Sequence, residues 1–147
     1  MEPRLGIYIH IPFCASKCGY CDFYSCAGAA DRMADYQHAL LEHIEESAGR
    51  IAPAYIDTVY FGGGTPTLVN AEYILRSLDA LRLCTRFAEN AEITLEGNPG
   101  TLNRGKLRQY CSAGVNRLSL GAQALDDRLL KSIGRIHTAA DAVSAVK

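Results

Sequence analysis

Four cysteines lie within residues 14–26, CASKCGYCDFYSC, directly after an apolar stretch that is typical of a buried strand. Disulfides, a zinc ion and an iron–sulfur cluster are the three explanations for so many thiols in one loop. The apolar stretch is too short for a signal peptide, and His10 and Pro12 interrupt it. We therefore expect a reducing compartment, the cytoplasm, in which a disulfide framework is disfavoured.

The spacing of the first three cysteines, C-x3-C-x2-C, favours a cluster over zinc. A structural zinc site usually takes its four ligands as two separated pairs, whereas Cys14, Cys18 and Cys21 suit three corners of a [4Fe–4S] cube. Most electron-transfer clusters have four cysteine ligands, so a cluster with three would leave one iron open to a substrate. Two alternatives stay open: Cys26 as a fourth ligand, and zinc bound with help from His10.

The composition narrows the classes of partner. Hydrophobic residues make up 48% and charged residues 21% of the 147 residues, which is typical of a globular chain. The formal net charge is −1, so the bulk positive charge that nucleic-acid binding requires is missing. No stretch approaches the roughly 20 apolar residues of a membrane helix. We predict no nucleic-acid partner and no integral membrane segment.

Strand-like and helix-like patterns alternate along the chain. Strands are predicted at 5–11, 56–61, 92–96 and 115–120, and helices at 31–48, after Asn70, at 102–111, at 126–133 and after His137. Strands separated by helices form a parallel sheet with right-handed crossovers, so the predicted fold class is α/β. In detail, we expect Asp31 to cap the first helix and Gly49 to end it, and Cys84 and Cys111 to be small buried residues.

Four βα units make half of a closed eight-stranded barrel. The chain ends inside a predicted helix, so we expect a partial TIM-like barrel, the front part of a longer protein. No Pro/Gly-rich linker interrupts the sequence. Residues 1–147 are therefore predicted to form one unit, the N-terminal part of a larger core domain, without an internal boundary.

Polar and glycine-rich segments follow each predicted strand. The cysteine loop follows the first strand, Gly62–Pro66 the second, Glu96 ends the third, and Gln123 comes after the fourth. Because parallel-sheet proteins bind ligands at the carboxyl ends of their strands, these segments predict a single site. The glycine run lacks the Lys-Ser/Thr pair of a phosphate loop, but glycine permits close backbone approach to a ligand.

Five segments in order, YIHIPFCASKCGYCDF, FGGGTPT, ITLEGNP, GVNRLSLGAQ and GRIH, resemble radical S-adenosylmethionine (SAM) proteins of the oxygen-independent coproporphyrinogen III oxidase family. The oxidases proper carry a further cysteine two residues after the third, where this chain has Phe23. The tripeptide CDF resembles the HemW branch, regarded as haem chaperones. Gly97 stands where the family commonly has Ala, and Ala124-Leu125 where Ser-Phe is usual.

The resemblance implies a radical SAM barrel that holds a [4Fe–4S] cluster on Cys14, Cys18 and Cys21. The amino and carboxylate groups of SAM would bind the open iron, and reductive cleavage of SAM would give a 5′-deoxyadenosyl radical. The resemblance also implies that a set of residues at or near the strand ends contacts SAM: Tyr8, Tyr20 beside the adenine, Gly63, Gly64 and Thr65 at the amino group, Glu96, Gln123, and Arg135 as a carboxylate clamp.

The function implied by the resemblance is that of a haem chaperone, with haem or porphyrin as partner and a reduced flavodoxin- or ferredoxin-type electron donor. The alternative is an oxygen-independent coproporphyrinogen III oxidase, which decarboxylates propionates oxidatively through the 5′-deoxyadenosyl radical. A structural zinc or electron-transfer module, with Cys26 as a ligand, is the third hypothesis. His10, on the same strand face as Tyr8, either orients the site or is a satisfied core histidine.

Overall fold

The computed structural model describes residues 3–147 as an α/β fold built on a parallel sheet. Four strands form the main sheet in the order β1-β4-β5-β6: β1 Arg4–Ile11, β4 Tyr55–Gly63, β5 Arg86–Gly97 and β6 Arg117–Leu120. Two short strands, β2 Phe13–Cys14 and β3 Cys26–Ala27, pair in parallel beside it. All neighbours in the main sheet are parallel, which confirms the predicted class and topology.

Five α-helices connect or follow the strands: α1 Met33–Ile51, α2 Ala71–Cys84, α3 Arg104–Ala113, α4 Asp127–Ser132 and α5 Ala139–Val146. Asn70 caps α2 as predicted, because its side chain accepts a hydrogen bond from the Glu72 amide at 3.1 Å. The ends of α1 were predicted wrongly. A 3-10 turn precedes it, its N-cap is Arg32 rather than Asp31, and the helix continues through Gly49. Within residues 3–147 no helix has the length and apolar character to cross a membrane.

The two faces of the main sheet differ in polarity, because side chains alternate along each strand. The buried face packs against α1, α2 and α3 and carries the core, which includes Ile9, Val59, Phe61, Ile93 and Leu95 from the strands and Ile44, Ile74, Leu78 and Tyr110 from the helices. The alternate positions carry polar side chains that fall into register across the sheet: Tyr8 with Tyr60, and Glu96 with Ser119. This polar face leads into the candidate site.

The two isolated cysteines differ in burial. Cys84 is half-buried and packs against the core, with its thiol 3.8 Å from the Ile44 carbonyl oxygen. Cys111 is exposed on α3, so its predicted burial was wrong. The apolar stripe of α3 includes Tyr110 and Ala113, and Cys111 lies outside it.

Candidate functional site

The cysteine loop is tied back onto β1 by polar side chains. The Lys17 ammonium donates to the Phe23 carbonyl at 2.7 Å and lies 2.9 Å from the Ser25 hydroxyl. The His10 Nε2 lies 2.7 Å from the Tyr24 carbonyl, and the Cys26 amide donates to the Pro12 carbonyl at 2.7 Å. These contacts, with the short β2–β3 pair, close the loop at its base.

His10 has hydrogen-bond partners on both ring nitrogens. The Tyr24 carbonyl can only accept, so Nε2 carries a hydrogen, and a neutral ring leaves Nδ1 to accept from the Tyr8 hydroxyl at 3.2 Å. The main-chain carbonyl of His10 also accepts from the Tyr36 hydroxyl. The ring of His10 is thus fully hydrogen-bonded, and its bond to Tyr24 fixes the cysteine loop to β1.

One cavity of about 300 Å³ lies at the carboxyl ends of the strands. Ten of the eleven predicted site residues line it: Cys14, Cys18, Tyr20, Cys21, Gly63, Gly64, Thr65, Glu96, Gln123 and Arg135. Tyr8 is the exception. Its ring is 59% exposed and stacks on Tyr60 at a centroid distance of 6.0 Å, beside the cavity rather than in its wall.

The three cavity cysteines are half-buried free thiols, and two of them receive side-chain hydrogen bonds. The Thr65 hydroxyl donates to Cys14 Sγ at 3.8 Å, and the Arg135 guanidinium donates to Cys18 Sγ at 3.6 Å. Cys26 is exposed, does not line the cavity, and has its thiol 3.5 Å from the Pro12 carbonyl. The fourth thiol of the loop is therefore separated from the other three.

The donor set fits a cluster better than a single ion. Among residues 3–147 no three His, Cys, Asp or Glu side chains converge closely enough to chelate one metal ion. A [4Fe–4S] cube makes a different demand, because each thiolate binds a different iron and the sulfurs border a volume. Cys14, Cys18 and Cys21 border one cavity, and donors to two of the sulfurs suit the negative charge of such a cluster.

The glycine turn after β4 brings the backbone close to the cysteine loop. Gly63 has φ of 114°, and a Cβ built there would lie 2.6 Å from His10 Cε1. A Cβ on Gly64 would lie 2.7 Å from the Phe13 carbonyl oxygen and 3.0 Å from Cys14 Sγ. Only glycine fits at these two positions. The backbone of both glycines forms part of the cavity wall.

Glu96 connects the polar sheet face to the glycine turn. One carboxylate oxygen accepts from the Tyr60 hydroxyl at 2.6 Å and the other from the Gly63 amide at 3.2 Å. The hydrogen bond to Glu96, followed by burial, raises the pKa of Tyr60. Burial, with a smaller contribution from the Glu96 charge, raises the pKa of Tyr8. Both phenols therefore ionise at a higher pH than an exposed tyrosine.

Arg135 reaches across the cavity from the loop after α4. One terminal nitrogen donates to Asn98 Oδ1 at 2.6 Å and to the Gly121 carbonyl at 2.7 Å, and the other donates to Cys18 Sγ. Its Nε is buried without a hydrogen-bond partner among residues 3–147. A buried donor without a partner is costly, so this nitrogen is a cost that the contacts of the two terminal nitrogens offset.

Tyr20 and Gln123 line the same cavity as Arg135. Tyr20 is 51% exposed, and burial is the main cause of its raised pKa, opposed by the Arg135 charge. Gln123 has φ of 63°, a left-handed conformation that is rare for a residue with a side chain. Its amide lies 3.1 Å from where a Cβ on Gly121 would be. The strained backbone at Gln123 thus places a polar side chain against the end of β6.

Sequence analysis missed three residues at the site. Asn98 joins Thr65 to Arg135, Tyr60 donates to Glu96, and Ser119 lines the cavity beside Glu96. Asn98 follows the third strand directly, and Tyr60 lies two residues before the glycine turn on the polar face. Their positions at strand ends were signals that could have identified them.

The chain combines a parallel sheet, three cysteines at a C-x3-C-x2-C spacing after β1, and a glycine turn at the end of β4. This combination defines a class of protein. Residues 8–147 match the sequence profile of the radical SAM superfamily, and the chain belongs to that superfamily. The superfamily implies SAM and an iron–sulfur cluster as cofactors.

Relatives and a solved structure with narrower descriptions also resemble the chain. The chain is 43% identical to the haem chaperone HemW of Haemophilus influenzae, over 98% of this chain and 39% of that protein. It is 40% identical to the haem chaperone HemW of Escherichia coli, over 99% of this chain and again 39% of that protein. The coproporphyrinogen III oxidase HemN of Escherichia coli, described as a radical SAM enzyme, superimposes with a TM-score of 0.88 at 29% identity, over 99% of this chain and 33% of that one. The chain thus spans about two fifths of the length of the HemW proteins, and its fold matches the N-terminal part of the HemN fold.

Proposed function

We propose that this chain forms the cluster- and SAM-binding part of a haem chaperone of the HemW kind. One observation carries the proposal: three half-buried thiols of the loop that follows β1 and the ends of β4, β5 and β6 line a single cavity. In this proposal residues 1–147 are one unit, the N-terminal part of a radical SAM core domain. The similarity to HemW proteins supports haem or porphyrin as the partner.

The residues of the cavity have distinct roles in this proposal. Cys14, Cys18 and Cys21 hold a [4Fe–4S] cluster, and the bound cluster and SAM together supply reductive cleavage of a sulfonium bond. Arg135 lines the cavity, and its terminal nitrogen next to Cys18 has a second hydrogen to offer to the SAM carboxylate. Gly63 and Gly64 allow the ligand to approach the backbone, and Glu96 holds the turn through the Gly63 amide.

The remaining contacts to SAM are assigned by position. Thr65 accompanies the glycines at the SAM amino group, while Tyr20 offers an exposed ring to the adenine at the mouth of the cavity. Gln123 orients SAM from the end of β6, and Tyr8 acts from beside the cavity through its contact with Tyr60. A reduced flavodoxin- or ferredoxin-type protein supplies the electron. The cytoplasm is the proposed location, because free thiols of this kind persist in a reducing compartment.

An oxygen-independent coproporphyrinogen III oxidase is the second candidate. The structural similarity to HemN at a TM-score of 0.88 favours it. Phe23 argues for the chaperone, because it occupies the position at which the oxidases proper carry a further cysteine, and it lines the cavity as a residue that is 65% exposed.

The cluster assignment is tested by metal analysis of anaerobically purified and reconstituted protein. We expect iron and sulfide in equal amounts, about four of each per chain, with little zinc. Replacement of Cys14, Cys18 or Cys21 by Ala should remove most of the iron. Cys26→Ala is the matched control from the same loop and should retain it. Zinc in place of iron, or loss of iron in the Cys26 variant, would contradict the assignment.

Product analysis separates the two candidate functions. Reduced, cluster-loaded protein is incubated with SAM and coproporphyrinogen III, and in parallel with haem. The proposal predicts that haem is bound and that no protoporphyrinogen forms. Formation of protoporphyrinogen would instead establish the oxidase.

A further inference from the structure

An unbroken line of hydrogen bonds connects two of the cavity cysteines through side chains alone. Cys14 Sγ accepts from the Thr65 hydroxyl, whose oxygen is 3.2 Å from Asn98 Nδ2. Asn98 Oδ1 then accepts from Arg135 at 2.6 Å, and the other terminal nitrogen of Arg135 donates to Cys18 Sγ at 3.6 Å. Asn98 is the midpoint of this line.

The direction of every bond in the line follows from Asn98. An arginine can only donate, so the amide oxygen of Asn98 must face Arg135 and the amide NH2 must face Thr65. The Thr65 oxygen therefore accepts from Asn98, which leaves its single proton for Cys14 Sγ. Thr65 is 4% exposed, so water has little access to compete for that proton.

Asn98 also holds Arg135 in place. The same terminal nitrogen of Arg135 donates to Asn98 Oδ1 and to the Gly121 carbonyl, and this pair of acceptors directs the other nitrogen to Cys18. Loss of the Asn98 side chain would thus leave Arg135 with one of its two acceptors and Thr65 without its donor, so the donors at both sulfurs would be held less firmly, although Asn98 touches neither sulfur.

We propose that Asn98 is a positioning residue that aims Thr65 and Arg135 at the sulfurs of Cys14 and Cys18 and thereby sets the reduction potential of the cluster. This inference rests on the proposed function, because it requires a cluster on those cysteines. Addition of one electron to [4Fe–4S]2+ gives the more negative [4Fe–4S]+. Hydrogen bonds to the ligand sulfurs stabilise that added charge and raise the potential.

The test is the midpoint potential of the reconstituted cluster, measured by redox titration with dithionite and followed by electron paramagnetic resonance. We expect Asn98→Ala to shift the midpoint to more negative potential. Thr65→Val removes only the donor at Cys14 and should shift it in the same direction by less. Asn116→Ala is the matched control, since Asn116 also makes two hydrogen bonds, to the Ile93 amide and the Ala91 carbonyl, away from the cavity.

Each outcome decides a different claim. Failure of the unsubstituted protein to assemble a cluster would overturn the proposed function and this inference together. A full cluster in Asn98→Ala with the potential of the unsubstituted protein would overturn this inference alone. If Asn98→Ala does not retain a cluster, Thr65→Val decides: a more negative potential supports the inference, and an unchanged one overturns it.

Discussion

Glu96 is the residue at which the polar face of the sheet meets the glycine turn. Its two carboxylate oxygens accept from different elements, the Tyr60 hydroxyl on β4 and the Gly63 amide in the turn. A carboxylate in this place has two effects. It fixes the turn beside the cysteine loop, and it raises the pKa of the neighbouring Tyr60 phenol. The second effect can be measured without any cofactor.

We predict that Glu96→Gln lowers the pKa of Tyr60. The hydrogen bond to the carboxylate is the main cause of the raised pKa, because ionisation of the phenol would remove the shared proton and place two negative charges side by side. The measurement is a pH titration of tyrosine ring carbons by nuclear magnetic resonance. Tyr110, whose pKa burial raises to about 12, is the internal control and should not change. An identical Tyr60 titration in both proteins would refute this explanation.

At the scale of elements, α1 and α3 show where packing overrides local sequence signals. Gly49 was expected to end α1, but Ile51 is 8% exposed in the core, and its burial carries the helix through Gly49 to Ile51. In α3, Tyr110 is 1% exposed and its hydroxyl has no hydrogen-bond partner among the described residues. Each helix therefore contains one residue that is not optimal for stability.

We expect Gly49→Ala to stabilise the protein by about 0.5–1 kcal/mol, because alanine loses less backbone entropy in a helix than glycine. A Cβ at this position meets nothing within 4 Å, so no clash offsets the gain. The measurement is urea unfolding followed by circular dichroism. Gly64→Ala is the comparison, and the clash with the Phe13 carbonyl should make that variant less stable. A less stable Gly49→Ala protein would contradict the helical assignment at this position.

Tyr110→Phe should raise the free energy of unfolding by about 1 kcal/mol, because it removes a buried hydroxyl without a partner.

The same substitution should also remove a dependence of the free energy of unfolding on pH. The pKa of Tyr110 is about 12 in the folded protein against 10.0 for a solvent-exposed tyrosine, so between these values the unfolded chain ionises more readily than the folded one. The native protein should therefore lose up to about 3 kcal/mol of stability as the pH rises from about 10 to about 12.

The control for this pair of effects is Tyr36→Phe, whose hydroxyl donates to the His10 carbonyl. Its loss should lower the free energy of unfolding by about 1 kcal/mol. Equal destabilisation by both Tyr→Phe changes would show that the Tyr110 hydroxyl has a partner after all.

At the scale of the whole molecule, the sequence predicted the parallel sheet and the edge at which its strand ends meet. It did not predict the hydrogen bonds between side chains at that edge. Alternating strands and helices predicted a parallel sheet, and a parallel sheet brings all strand ends to one edge, so the segments that meet at the cavity could be named in advance, while the family resemblance supplied single residues such as Tyr20 and Arg135. The hydrogen bond between Asn98 and Arg135 spans 37 positions of sequence and depends on how the loop after α4 folds back. No spacing rule encodes such a contact.

The same limit applies to residues whose place depends on side-chain geometry. The family resemblance put Tyr8 at the site; β1 is an edge strand, and the ring of Tyr8 lies on Tyr60 beside the cavity. Cys26 stayed open as a fourth ligand because spacing alone does not show which way a loop thiol faces. The pairing of β2 with β3, which places Cys26 beside Pro12, was not predicted.

The central claim is that three thiolates hold a cluster whose remaining iron is open to SAM. Mössbauer spectra of 57Fe-reconstituted protein, recorded with and without SAM, test it most directly. The account predicts that SAM changes the signal of one iron of the cluster and leaves the other three as they were. Spectra that are the same with and without SAM, or four equivalent thiolate-bound irons, would contradict it.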